Sequence, residues 1–383
     1  MQNYLTKIRR ELHEHPEVGF DLEQTLVILR RELDEIGVEY TEKYGKSSIV
    51  ATVNPEKTEF TVAIRADMDA LPITERTGAE YCSKNEGVMH ACGHDSHTAI
   101  LIGTVKKIQK MRDSLNCCVK FIFQAAEEYA VSGAKLMAED GVMDGIDCIA
   151  ALHCDPNLRT GAISIVDGYR NANSDGFKLH FYGMSAHAAK KHLGIDAIAM
   201  AVRAHCAVSE YAEREIANGE PMILNIGVIS GGKTNNVVCD DCFMFCTLRT
   251  FNPGTAERVI ERIKDICTSC AEEIGGRFEY ENVKHYPMVY NDPRITEVIR
   301  ACAASLIGED NVLVQQRSMG GEDFSYFANI KPGAMFHLGT RNEEKDIIHG
   351  LHNDRFDIDE TAMPIGVDIF TSFIIKMAER KSL

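Results

Sequence analysis

Four side chains able to bind a metal, His90, Cys92, His94 and His97, share the ten residues Val88–His97 with the carboxylate of Asp95. Imidazoles and a thiol crowded together are costly to bury unless they find partners, so this density points to a shared ligand. Farther along stand Gln124-Ala-Ala-Glu-Glu128, His153 at the end of an apolar run, and His349-Gly-Leu-His-Asn353. Cysteine, histidine and carboxylate together are the ligand set of zinc and similar borderline metals. The chemistry they imply is metal-assisted hydrolysis. In that chemistry one carboxylate of the Glu127–Glu128 pair is used as a ligand and the other is left to move protons. Any one histidine is more often a hydrogen-bonded core residue, and an acidic pair can simply open a helix. The set carries the reading, not its members.

These residues need elements to place them. Helical periodicity covers residues 3–14 and Asp21–Ile36, with Leu22, Leu26, Leu29 and Leu33 on one stripe. Short apolar runs at Ser48–Val53, Thr61–Ile64, Cys118–Phe123 and Cys148–Leu152 read as strands, with helices at Asp95–Met111 and Gly133–Glu139 between them. Strands alternating with helices predict an α/β sheet covered on both faces, where ligands gather beyond the carboxyl ends of strands. Asp67 and Asp69, Glu127 and Glu128, and His153 each follow such a run. From about residue 176 the pattern changes to alternating strands at Phe177–Tyr182, Pro221–Ile229, Asn236–Thr250 and Phe278–Val283. Helices lie at Ile195–Ala217 and Thr255–Ile274. This predicts an α+β insert over 176–288. The flanking segments 1–175 and 289–383 form one discontinuous catalytic domain, because His352 must return to meet His94. After Asp292 a helix, a strand at Ala334–Leu338 and a helix at Asp359–Ala378 restore the first pattern.

A chain of 383 residues is long for a single core, which agrees with two domains. Its net charge of −16 argues against nucleic acid or an anionic membrane as a partner, since both demand a basic face. No stretch reads as the roughly 18–20 apolar residues of a membrane span, and the first residues show no export signal. Thirteen cysteines, an odd number, point to reduced thiols and a cytoplasmic location. The pairs Cys239/Cys242 and Cys267/Cys270 have the look of a second, structural zinc site. However, Cys267 and Cys270 share a helix face with Val259, Ile263 and Ile274, so they read as core.

Arg65-Ala-Asp-Met-Asp-Ala-Leu-Pro72, Met89-His-Ala-Cys-Gly-His-Asp95, Gln124-Ala-Ala-Glu-Glu128, Ser318-Met-Gly-Gly-Glu-Asp-Phe324 and Leu351-His-Asn353 occur in that order. Together they resemble the amidohydrolase branch of the dinuclear aminoacylase/carboxypeptidase metallopeptidases. That branch includes hippurate hydrolases, N-acyl-amino-acid and indoleacetyl-amino-acid hydrolases, and N-acetyldiaminopimelate deacetylases. The likeness runs from Arg10-Glu-Leu-His13 to Phe356-Asp-Ile-Asp-Glu360. It implies a zinc-exopeptidase-like α/β catalytic domain whose insert serves as lid and dimerisation domain of a homodimer. It also implies two divalent ions per subunit, Zn²⁺ or Mn²⁺ with Co²⁺ or Ni²⁺ as substitutes. Carried over by position, Cys92 bridges them, with Glu128 and His352 on one ion and His94 and His153 on the other. Glu127 becomes the general base and acid. Asp67 or Asp69 orients a ligand imidazole, and Asp67 is taken as the candidate.

In the insert the resemblance gives His187 the task of stabilising the tetrahedral oxyanion, often at a neighbouring subunit's site. Alanines flank this histidine, and Lys190 stands where the family has proline, so the loop departs from the pattern. Asn236 and Arg249 resemble the pair that holds a substrate's free carboxylate, which suits a planar guanidinium. His13, His15, His90, Asp95 and His97 read as neighbours. The implied reaction is hydrolysis of an N-acyl amino acid, a small molecule, to a carboxylate and a free amino acid. A dipeptidase or carboxypeptidase would use the same site. A non-catalytic metal-binding protein on this fold has no use for an unligated base at Glu127.

Overall fold

The computed structural model describes residues 1–129 and 131–380, and the chain divides into two compact units. The first opens with α1 (Gln2–Glu14), α2 (Glu23–Ile36), β1 (Glu39–Thr41), β2 (Ile49–Val53) and β3 (Thr61–Asp67). It continues through α3 (His94–Lys110), β4 (Cys118–Gln124), α4 (Gly133–Glu139), β5 (Cys148–Arg159), β6 (Ile163–Ile165) and β7 (Gly168–Asn171). The second unit holds β8 (Asn173–Tyr182), α5 (Ala197–Ala217), β9 (Met222–Gly231), β10 (Asp241–Thr250), α6 (Thr255–Ile274) and β11 (Arg277–Tyr286). The chain then returns to the first unit with β12 (Val289–Asn291), α7 (Pro293–Ile307), β13 (Val312–Val314), α8 (Ser325–Ala328), β14 (Gly333–Arg341) and α9 (Met363–Arg380).

In the first unit eight strands form one mixed sheet in the order β1-β2-β4-β3-β5-β14-β6-β13. The central pairs β4–β3, β3–β5 and β5–β14 are parallel. Because successive side chains of a strand point to opposite faces, each central strand feeds two cores. Val62, Ile64 and Ala66, Val119, Phe121 and Phe123, and Ala334, Phe336 and Leu338 join the core under α1, α2, α3, α7 and α9. Their alternates Ala63, Ile122 and Met335 join a smaller core with Met137 of α4 and Phe327 of α8. Runs that are apolar at every position follow from this double burial.

Helix α9 corrects one expectation. With the turn before it, residues Glu360–Arg380 are long and apolar enough to cross a membrane, at a mean hydropathy of 1.3. Its apolar side is nevertheless used inside the protein. Val367, Phe370, Phe373 and Ile374 are buried against α3 and α7, and Gly366 lies directly on Ile100.

The second unit comprises 171–288 together with 317–322. Its antiparallel sheet runs β11-β8-β10-β9, and α5 and α6 cover one face. Phe177, Leu179 and Phe181 of β8 and Met244 and Leu248 of β10 meet Met200, Val208, Val259 and Ile263 from the helices. Cys239, Cys242, Cys246 and Cys267 sit in this core as free thiols. Residues 317–322 join through an Asn171↔Ser318 bridge and the Ala172 N–H donated to the Ser318 carbonyl at 2.9 Å. This six-residue return carries no periodic signal that sequence reasoning could use.

Candidate metal and catalytic site

Strand ends and one sharp turn set the site in the first unit. After β3 the chain runs without regular structure over 68–93 and enters α3 through Gly93, at φ +82°. A side chain there would need the disfavoured left-handed backbone and would place its Cβ 2.3 Å from the Cys154 Sγ. The turn therefore brings Cys92 and His94 down against the strand that carries His153. That strand, β5, continues to Arg159, so His153 lies within it and not just after it. After β4, Ala125 and Ala126 (φ +55°) turn the chain so that Glu127 and Glu128 follow. His352, also left-handed at φ +61°, is tied to the Cys92 loop by its N–H on the Ala91 carbonyl at 2.8 Å.

The side chains converge in two overlapping triads. Potential ligand atoms of Cys92, His94 and His153 lie within 4.8 Å of one another, as do those of Cys92, Glu128 and His352. His94, Glu127 and Glu128 form a further such group. Cys92 thus stands in both halves, with His94 and His153 on one side and Glu128 and His352 on the other. Cys92 and His94 are buried, Glu127 is 8% exposed, and the His352 side chain is about half exposed, so the cluster opens to solvent on the His352 side.

Two observations test whether these residues fit a cation. Among the described residues neither buried ring nitrogen of His94 has a hydrogen-bond partner, and the Asp69 and Asp67 carboxylates stand off at 3.6 and 3.8 Å, a state that is costly unless a ligand completes it. His153 donates Nδ1–H to the Cys154 carbonyl at 2.7 Å, which leaves a lone pair on Nε2, 3.4 Å from the Cys92 Sγ. The donor set and its aim fit a metal. The electrostatics agree. Burial raises the Cys92 thiol well above its ordinary range, and Glu128 and Glu127 add to the shift. Burial works against a charge on His94, but Asp67, Asp69 and Glu128 outweigh it and lift that imidazole to about 10. Burial favours the acid form of Glu128, yet His352, at 2.9 Å, and His94 hold it below the usual carboxylate range. The carboxylates thus give the pocket a field that favours positive charge.

Asp67 and Asp69 have different tasks. Asp67 is fully buried and accepts from Arg65 Nη1 at 2.7 Å and from His97 at 2.6 Å, while its Oδ2 is 3.8 Å from His94 Nε2. Asp69 accepts the N–H groups of both Glu127 (2.9 Å) and Glu128 (3.0 Å) and lies 3.6 Å from His94 Nδ1. It therefore clamps the turn carrying the candidate base. For Asp67 alone a signal was present: residues i and i+2 of a strand share a face, so Arg65 pairs with it. Arg65 further binds Gln124 and Asp323, and Ser132 caps α4 while donating to Asp323 at 2.7 Å. Asp323 was visible only as part of a motif. His13 proves to be framework. With Arg9 it grips Asp95, each at 2.7 Å, and so braces the first turn of α3.

The other candidates lie in the second unit. His187 is exposed, with Nδ1 accepting the Ala189 N–H at 3.1 Å. It bridges to Val237, and the Ala188 N–H meets the Asn236 carbonyl at 2.9 Å, so His187 and Asn236 occupy adjoining loops. β10 begins only at Asp241, so Asn236 precedes the strand that Arg249 nearly ends. Arg249 is partly buried, and burial lowers its pKa against the pull of Asp175. A side chain on Gly321 would come within 2.9 Å of the Arg249 guanidinium, so that glycine leaves it room.

Comparison with known proteins shows the family of the chain. The profile of Peptidase family M20/M25/M40 matches residues 63–376. The N-acetyl-L-cysteine deacetylase of Bacillus subtilis is 35% identical over 95% of this chain and 85% of its own. The chain belongs to this family. The thermostable carboxypeptidase 1 of Saccharolobus solfataricus is 32% identical over 99% of this chain and 97% of its own. A crystal structure from Bacillus subtilis, described as a dinuclear metal binding peptidase of family M20, superimposes with a TM-score of 0.84 at 31% identity, covering 99% and 98% of the two chains. As a family member the protein is a hydrolase of amide bonds on the mixed α/β fold of these peptidases.

Proposed function

We propose that the protein cleaves the amide of an N-acylated amino acid at a centre of two divalent ions, releasing a carboxylate and the free amino acid. The observation carrying this reading is the membership of Cys92 in both ligand triads. Cys92 would bridge, with His94 and His153 on one ion and Glu128 and His352 on the other. Zn²⁺ or Mn²⁺ are the metals proposed, with Co²⁺ or Ni²⁺ as substitutes. Such ions, when bound, polarise the scissile carbonyl and make water acidic enough to ionise near neutral pH.

Glu127, held by Asp69 through its backbone, takes a proton from the attacking water and returns it to the leaving nitrogen. His187 opposes charge developing on the carbonyl oxygen. Asn236 and Arg249 hold the carboxylate of the amino acid portion. We further propose that residues 176–288 act as lid and dimerisation domain of a homodimer. The ten-residue edge strand β9, with Ile223, Val228 and Ile229 exposed, supports the second role. Thirteen free thiols support a cytoplasmic location. The carboxypeptidase relative favours a second reading, in which the acyl portion is itself an aminoacyl or peptidyl group and the leaving group is still an amino acid.

A panel of N-acetyl, N-benzoyl and indoleacetyl amino acids beside dipeptides, assayed with metal-reconstituted enzyme, tests the choice. The N-acyl amino acids should be turned over, and chelation should abolish activity until metal is restored. A preference for dipeptides would favour the second reading. Full activity after exhaustive chelation would remove the metal mechanism altogether.

A further inference from the structure

His97 has no task in the reaction above, yet it lies at the centre of the site. One turn after His94 on α3, its ring centre is 4.7 Å from that of His153 and 5.4 Å from that of His94. Both of its nitrogens are engaged. Nε2 accepts the backbone N–H of Cys154 at 2.8 Å. A peptide N–H can only donate, so Nε2 holds a lone pair and Nδ1 carries the proton, which it gives to Asp67 Oδ1 at 2.6 Å. Asp67 is itself fixed by Arg65, and Thr98 Oγ1 donates to its carbonyl at 2.9 Å. His97 therefore has no lone pair to offer an ion.

The residue it grips holds His153. The Cys154 carbonyl accepts Nδ1–H of His153, and this bond turns the Nε2 lone pair of His153 toward Cys92. The pairing of β3 with β5 ends at Arg65↔Ala151, so beyond Ala151 that side of β5 lacks a ladder partner. Buried backbone groups must be satisfied, and His97 takes the place of the missing strand.

We propose that His97 is a positioning residue for the His94/His153 half of the metal centre. By accepting the Cys154 N–H in one fixed tautomer, it sets the carbonyl that orients His153. The proposal rests on the two-metal reading, and a partner acting on a ligand in this way commonly changes metal affinity about 10–100-fold.

Two variants differing by one methylene separate this role from packing. In His97→Gln the amide oxygen reaches the place of Nε2 and can still accept the Cys154 N–H. In His97→Asn the amide nitrogen reaches the place of Nδ1 and serves Asp67 alone. Ions per chain, counted by elemental analysis after dialysis against buffered Zn²⁺, should be two for wild type and His97→Gln. His97→Asn should hold one firmly, with affinity for the second about 10–100-fold weaker. The Co²⁺-substituted proteins should show the matching loss of one visible absorption component. Equal loss in both variants, or wild-type affinity for both ions in His97→Asn, overturns the proposal. A wild-type count below two would count against the two-metal reading instead. In either case ¹⁵N spectra of histidine-labelled, metal-free wild type decide independently of any variant. His97 should appear as the Nδ1–H tautomer, and an Nε2–H form would refute the assignment.

Discussion

Glu127 and Glu128 are adjacent and chemically identical, and their surroundings give them different work. Glu128 meets His352 at 2.9 Å and shares a ligand triad with Cys92. Glu127 groups with His94 and Glu128, and its backbone is fixed by Asp69. Glu127→Gln should therefore keep metal content near wild type while kcat falls at least about 10²-fold, the usual worth of acid–base catalysis. Glu128→Gln should lose metal and activity together. Equal loss of metal and activity in Glu127→Gln, with metal kept in Glu128→Gln, would show that the roles are exchanged. At this scale the sequence was informative about residue type and silent about partnership. Cys92, His94, Glu128, His153 and His352 announce themselves because few other tasks need those types so close together. Asp69 and Asp67 look alike until hydrogen bonds show that one holds the Glu127 turn and the other holds His97. The engagement of both His97 nitrogens is likewise a fact of geometry, since one partner is a backbone group 57 residues away.

Between β3 and α3 the chain crosses residues 68–93 with no helix or strand, unusually long for a connection in a compact domain. It keeps its shape through hydrogen bonds to distant segments. Ala70 N–H meets the Glu17 carbonyl, Leu71 and Met89 pair with each other, and Lys84 N–H meets the Glu14 carbonyl. Glu75 is the central anchor. It accepts from Thr77 and the Ser83 N–H and lies 3.4 Å from His13, with its side chain only 4% exposed. Burial pushes its carboxyl up, but these donors win and hold it at about 2, against an ordinary 4.5. A depressed carboxylate adds stability above its unfolded pKa and loses it as pH falls through the folded value. The contribution should therefore be complete above pH about 4.5 and gone near pH 2, worth at most about 3 kcal/mol. In metal-free protein, Glu75→Gln should lower the urea midpoint at pH 7, and the gap from wild type should close toward pH 2. A constant gap would show that packing, not charge, is what Glu75 supplies. A continuous apolar run located β3 before this loop, because double burial writes itself into composition. The loop's own course depends on hydrogen bonds between distant segments, and no local pattern encodes those.

The two units differ in how their strands are covered. In the first, the parallel central strands are buried on both faces; in the second, β9 is an outer strand ten residues long with Ile223, Val228 and Ile229 exposed. Ile198 and Val202 of α5 are exposed as well. A long apolar edge invites another strand unless something covers it. A second copy can cover it in a self-complementary way, edge against edge across a two-fold axis. The protein should therefore sediment as a dimer. Charging the edge with Val228→Lys and Ile229→Lys together should give a folded monomer that keeps its ions, because every candidate ligand belongs to the first unit. Activity in that monomer then reports on His187. If the partner subunit supplies this histidine, kcat should fall about 10²-fold, the typical worth of an oxyanion donor, with metal content unchanged. Mixing Glu127→Gln with His187→Ala chains should then recover activity, since one site of each heterodimer would regain both groups. A fully active monomer would confine the donor to its own chain, and an unaffected His187→Ala enzyme would take His187 out of the reaction. The exposed Ala-His-Ala-Ala-Lys190 loop, which departs from the family pattern, is what this experiment weighs most directly.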